Sequence, residues 1–166
     1  MENAPVEQVK GRMIGYFGKD LRRINHALKV HSLAVHIGSM EGLPDAELIL
    51  LETAALLHDI GIKEAELRYQ SAAAHYQEEL GPGVALELLA DMELSAGFRE
   101  RLAFLIGHHH SYARIDGLDF QILVEADFLV NIFEDGMEPP AVRSIREKYF
   151  RTRTGAALCD AMFGNG

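Results

Sequence analysis

An all-α, single-domain helical bundle is the fold class this sequence predicts, and three observations carry the prediction. Apolar residues recur at helical spacing along most of the chain. β-Branched alternation is nowhere sustained over four or more residues, so no substantial sheet is expected. Helix-starting and helix-stopping residues punctuate the chain at intervals that suit helices. A length of 166 residues allows one domain with a real core, here taken as 1–166.

The elements follow in order. Residues 6–17 predict a weak first helix. Residues 21–40 predict a long second one, in which Ile24, Ala27, Leu28 and Val35 interleave with a stripe of Val30, Leu33, Ile37 and Met40. Gly42-Leu-Pro44 ends it. Asp45 and Glu47 then stand in the first turn of a helix running to about Asp59, where negative charge suits the helix dipole. That helix is apolar on nearly all sides in its C-terminal half, which makes it central. Residues 64–80 predict a helix stopped by Gly81-Pro82-Gly83, and 84–92 a short one. Ser95 is an N-cap for a helix ending near His108. Residues 111–118 read as a loop, Asp119 as the cap of a helix ending at Asp135-Gly136, and Pro139-Pro140 as the start of another. After Thr154 only a short tail is expected.

Bulk properties exclude several roles. Apolar residues make up 48% and charged residues 25%, as in ordinary soluble proteins. No apolar run is long enough to span a bilayer, and no secretory signal is visible. The net charge of −9 disfavours a nucleic-acid partner, because an acidic surface repels a phosphate backbone. The single Cys159 has no internal partner, which fits a cytoplasmic location. A small phosphorylated substrate remains compatible, since a bound ion inverts the local field.

His58-Asp59, at the end of the central apolar run, carries the most chemical information. Adjacent helical residues point about 100° apart, so both reach one ion only where the helix stops, and Gly61 supplies a stop. His26 faces inward upstream, although a lone inward histidine is more often a satisfied core residue. Asp127 sits in the nearly continuous apolar run 122–133, where a carboxylate needs a partner; a buried salt bridge is the competing explanation. Two imidazoles and two carboxylates from separate helices form a mixed N/O set. Such a set suits a borderline or hard divalent ion in octahedral geometry with positions left for water.

The order His26-Ala-Leu-Lys-Val30, then Ala54-Ala-Leu-Leu-His-Asp-Ile-Gly61, then Val124-Glu-Ala-Asp127 resembles the H…HD…D pattern of the HD-domain metal-dependent phosphohydrolase superfamily, over roughly residues 20–135. The resemblance implies an all-α domain of the HD type. It implies His26, His58, Asp59 and Asp127 as ligands of a divalent ion (Mn, Fe, Co, Ni, Zn or Mg), and Asp59 as the residue that bridges ions or steers water. The chain departs from many members in placing Ile62 where they have Lys, with Lys63 one place late. Binuclear members supply further histidines. Here the candidates for a second ion or a phosphate are His75 and the run His108-His109-His110, of which His108 and His109 are singled out by resemblance to those members' His-His pair. The competing explanation for the run is an exposed polar helix end.

The implied activity is hydrolysis of a phosphomonoester or phosphodiester by metal-activated water, with a nucleotide as the expected substrate. A histidine of the run, His109 by preference, is the candidate proton donor to the leaving oxygen. Arg151 and Arg153 are candidates for substrate phosphate, with a solvated basic tail as the competing explanation, and the same two readings apply to Arg99 and Arg101. Two rivals stay open: a non-catalytic ligand-sensing HD module, and a di-iron oxygenase that would need the extra histidines.

Overall fold

The computed structural model describes residues 4–164. Among them the architecture is all-α, as predicted: α1 (Ala4–Phe17), α2 (Leu21–Met40), α3 (Asp45–Leu57), α4 (Ile62–Tyr69), α5 (Ala74–Leu88), α6 (Ala96–His108), a 3₁₀ turn (Tyr112–Arg114), α7 (Leu118–Glu134), α8 (Pro139–Tyr149) and α9 (Arg153–Phe163). No described helix is long and apolar enough to cross a membrane.

Helix α3 is the axis. Every residue from Leu50 to Leu57 is buried, as its all-round apolar sequence requires. Around it pack α1, α2, α6 and α7, and α5 lies against α6. The buried stripe of α2 is Ile24, Ala27, Val30, Ala34 and Ile37, with Met40 exposed and Leu33 half-buried. It is thus rotated from the expected stripe, because small alanines let α2 sit close to its neighbours. The buried Glu52 of α3 is answered by His31 of α2 at 3.1 Å.

Five local expectations need correction. The predicted helix 64–80 is two helices, because Gln70 adopts a left-handed conformation (φ 50°) and closes α4. α5 then runs through Gly81-Pro82-Gly83, so 84–92 is not a separate helix. Pro82 removes one helical hydrogen bond, but its ring packs against Gly107 of α6, and the bare Cα of Gly81 admits Ile106. Asp119 is not the cap of α7; Gly117 is, and Asp119 lies in the first turn, accepting from its neighbour Phe120 N–H and from Arg101. Residues after Thr154 are not a short tail. They form α9, capped by Thr152 Oγ1, which accepts from Gly155 N–H.

The fifth concerns Gly61. Its φ is −76°, so it does not end α3 through a left-handed turn. A Cβ there would stand 2.7 Å from Gln77 O and from Gly81 N: the glycine is needed because α5 crosses directly over the turn after α3. Gly61→Ala should therefore destabilise the fold by about 1–3 kcal/mol, the usual scale of overpacking. The check is the denaturant midpoint; an unchanged midpoint would show that α5 is free to shift.

Candidate metal centre

α3 ends at Leu57, and His58 and Asp59 belong to the turn 58–61 rather than to the helix. The turn lets adjacent residues point at one spot. Helices α2 and α7 pack together and bring His26 and Asp127 to the same place. His26 Nε2 lies 3.1 Å from His58 Nε2 and 3.1 Å from Asp127 Oδ1. His58 Nε2 lies 3.2 Å from Asp127 Oδ1, and Asp59 Oδ2 lies 3.3 Å from both nitrogens. The four candidates named from the sequence meet.

The hydrogen bonds fix what these atoms are. His58 Nδ1 is 2.7 Å from the carbonyl of Ala55, and His109 Nδ1 is 2.8 Å from that of Ile106. A carbonyl only accepts, so each Nδ1 carries its hydrogen, and in the neutral ring each Nε2 presents a bare lone pair. His109 Nε2 is buried and has no hydrogen-bond partner. Lone pairs and two carboxylates face one another at about van der Waals contact, which is repulsive unless a cation stands between them.

The spacing also fits an ion. With bonds of about 2.2 Å, ligand atoms at right angles sit about 3.1 Å apart, whereas tetrahedral ligands sit about 3.6 Å apart. The observed 3.1–3.3 Å matches adjacent octahedral positions. Two groups of donors can hold a metal: His26, His58 and Asp59, and Asp59, His109 and His110. Asp59 joins them, Oδ2 facing the first and Oδ1 lying 3.3 Å from His109 Nε2. His26 and Asp59 also line a cavity of about 390 Å³ shared with Arg22, Asn131, Glu134 and Asp135, so the centre is reachable from outside.

The HD-domain family model matches residues 23–150. The chain belongs to the HD-domain family. A solved structure described as a predicted HD superfamily hydrolase, from an uncultured Thermotogales bacterium, superposes with a TM-score of 0.68 at 24% identity, covering 93% of this chain and 83% of that one. A comparison with curated proteins gave no match.

Several expected site residues of this HD domain lie elsewhere. His108 is the last residue of α6; its Nδ1 bonds the Phe104 carbonyl and its ring stacks on Phe104 at 4.3 Å. The histidines that join Asp59 are His109 and His110, because the helix ends one residue earlier than an inward His108 would need. His75 is exposed against Tyr76, since α5 begins only at Ala74, and Gln77 takes the buried position over the turn. Arg151 donates its guanidinium to the carbonyls of Glu147, Lys148 and Phe150 at the end of α8. Arg153 is exposed at the start of α9, outside the lining of the cavity over His26 and Asp59. Arg99 holds the carbonyls of Leu89 and Met92, and Arg101 spans Asp116 and Asp119. Glu134, 3.1 Å from His26 Nδ1, was not among the residues expected from the sequence, whereas His110, one of the histidines expected there, does join Asp59.

Burial penalises charge on His26, His58, Asp59 and Asp127, yet opposite charges outweigh it. Burial alone would lower His26 and His58, but Asp127 and Asp59 raise both above the ordinary imidazole value, His58 well above. Burial would raise Asp59 and Asp127, but His58 and its neighbours hold both far below the carboxylate range. His110 is pushed down to about 4 by burial and by His109, which keeps it neutral and suits it to ligation.

Without an ion, then, the centre holds protons on its histidines more strongly than free imidazole does. The raised histidines contribute stability that is complete below their unfolded value of 6.5 and is lost as pH rises through their folded values. The depressed carboxylates contribute stability present above 3.8 and lost as pH falls through their folded values. The chelated HD domain should lose melting temperature as pH rises above 6.5, and a saturating divalent ion, which displaces those protons, should abolish the loss. Parallel thermal melts with chelator and with Zn²⁺ across this range decide it; identical pH profiles would contradict the assignment.

Proposed function

We propose that this HD domain is a metal-dependent phosphohydrolase that cleaves a phosphomonoester or phosphodiester with a divalent ion held by His26, His58, Asp59 and Asp127. The observation that carries the reading is the meeting of four side chains from three segments, with octahedral spacing, beside an open cavity. When bound, the ion supplies Lewis-acid chemistry, acidifying water and drawing charge from a phosphoryl oxygen. The identity of the ion is proposed only as far as the N/O donor set reaches: Mn, Fe, Co, Ni, Zn or Mg.

The chain's own groups divide the remaining work. Asp59 has an oxygen turned toward each donor group, which suits it to orient water between them. His109, with a buried unpartnered nitrogen, and His110 are suited to take a second ion or a phosphoryl oxygen. The cavity over His26 and Asp59 admits a small phosphorylated substrate; a nucleotide is favoured by the family resemblance. The buried, unpaired Cys159 supports a cytoplasmic setting, and one continuous buried cluster from α1 to α9 supports action as one HD domain. The second reading, a paired-iron oxygenase, is favoured by the Asp59–His109–His110 group alone. Metal content of one ion per chain, or two irons with oxygen uptake, separates the two.

Purified protein loaded with Mn²⁺, Co²⁺, Fe²⁺ or Ni²⁺ should release phosphate from members of a panel of nucleotides and other phosphoesters. Asp59→Ala should abolish ion binding and turnover while the helical circular dichroism stays intact. His109→Ala should lower turnover by about 10²-fold, the scale of a positioned polar group, with the primary ion retained. His108→Ala should leave both alone. An Asp59→Ala protein with full ion content and turnover would overturn the reading.

A further inference from the structure

We propose that Glu134 and Lys29 are positioning residues for the ion: Glu134 fixes His26 with its Nε2 lone pair turned into the centre, and Lys29 fixes Glu134. The proposal rests on the metal reading above.

The three inward histidines face one problem, and His26 solves it differently. A ligating imidazole needs an acceptor at its other nitrogen, or the ring flips and the tautomer is undefined. His58 and His109 each follow the last residue of a helix, and each uses the carbonyl three residues back. His26 lies inside α2, where backbone carbonyls are taken by the helix itself. A side chain must serve instead, and Glu134 Oε2 stands 3.1 Å from His26 Nδ1. The other oxygen, Oε1, accepts from Lys29 Nζ at 2.9 Å. A carboxylate paired with an ammonium is an acceptor only, so the hydrogen belongs to Nδ1.

Helical register builds the arrangement in two layers. Lys29 is three residues after His26 on α2, and Glu134 is seven after Asp127 on α7, so each shares a face with the ligand on its own helix. The inner layer, His26 and Asp127, faces the ion; the outer layer, Lys29 and Glu134, closes behind it. Glu134 is mostly buried (16% side-chain exposure) while Lys29 is half-exposed (51%), so the lysine reaches in from solvent. Its charge also offsets a third carboxylate beside a centre that already holds two.

The test is Mn²⁺ titration calorimetry on the wild type and on Glu134→Ala, Glu134→Gln and Lys29→Met. Glu134→Ala should weaken Mn²⁺ binding 10–100-fold, the usual effect of losing such a partner. Glu134→Gln keeps an acceptor oxygen and should recover most of the affinity. Lys29→Met should cost a few-fold. Imidazole ¹⁵N spectra of the Zn²⁺-loaded wild type should show His26 protonated at Nδ1 and bound through Nε2, a signature that Glu134→Ala should broaden or lose. Should Glu134→Ala fail to fold, Lys29→Met and the wild-type spectrum decide, and wild-type affinity in Lys29→Met together with a His26 that is not protonated at Nδ1 would overturn the proposal. Wild-type affinity in a folded Glu134→Ala would overturn it with the metal reading intact. A wild type that binds no divalent ion would overturn the metal reading and the proposal with it.

Discussion

Two backbone carbonyls govern this molecule. Ala55 O and Ile106 O can only accept, so His58 and His109 must donate from Nδ1 and leave their Nε2 lone pairs pointing inward. Asp59 and Asp127 add negative charge to the same small volume, and burial removes the water that would otherwise answer it. Such a set is stable only around positive charge. The raised proton affinity of His26 and His58 answers it in the ion-free protein, and a divalent ion would answer it with the right spacing.

The fold exists to hold that volume closed on one side and open on the other. α3 brings its candidate ligands in by ending early, so that a turn carries His58 and Asp59. α5 crosses that turn closely enough to forbid a side chain at residue 61. Glu125, two residues before Asp127 and fully buried, accepts from Arg151 N–H, Thr152 N–H, the Thr152 hydroxyl and Gln121, and so ties α8 and α9 to α7. Its neighbour Asp127 is thereby set on a helix that cannot easily rotate. The open side is the cavity over His26 and Asp59.

What was legible in the sequence was what is expensive to bury. Asp127 amid apolar residues and His58-Asp59 at the end of an apolar run are costly unless they serve a purpose, and both proved to face one point. Register at helix ends was not legible in the same way. Whether His108 or His110 joins Asp59 depends on where α6 stops, and one residue turns a side chain by about 100°. His75 was misplaced because the break at Gln70 needs a left-handed residue that is not glycine. Gly81-Pro82-Gly83 looks like a stop, yet here it is the groove into which α6 packs. Glu134 gives no local signal at all, since its partner His26 lies on a helix packed against its own only in the folded chain.

The most direct measurement is the anomalous diffraction of crystals soaked with Zn²⁺. A strong peak is expected about 2.0–2.2 Å from the Nε2 atoms of His26 and His58 and from carboxylate oxygens of Asp59 and Asp127. A saturated crystal with no peak there, or with the ion bound only at surface carboxylates, would contradict it.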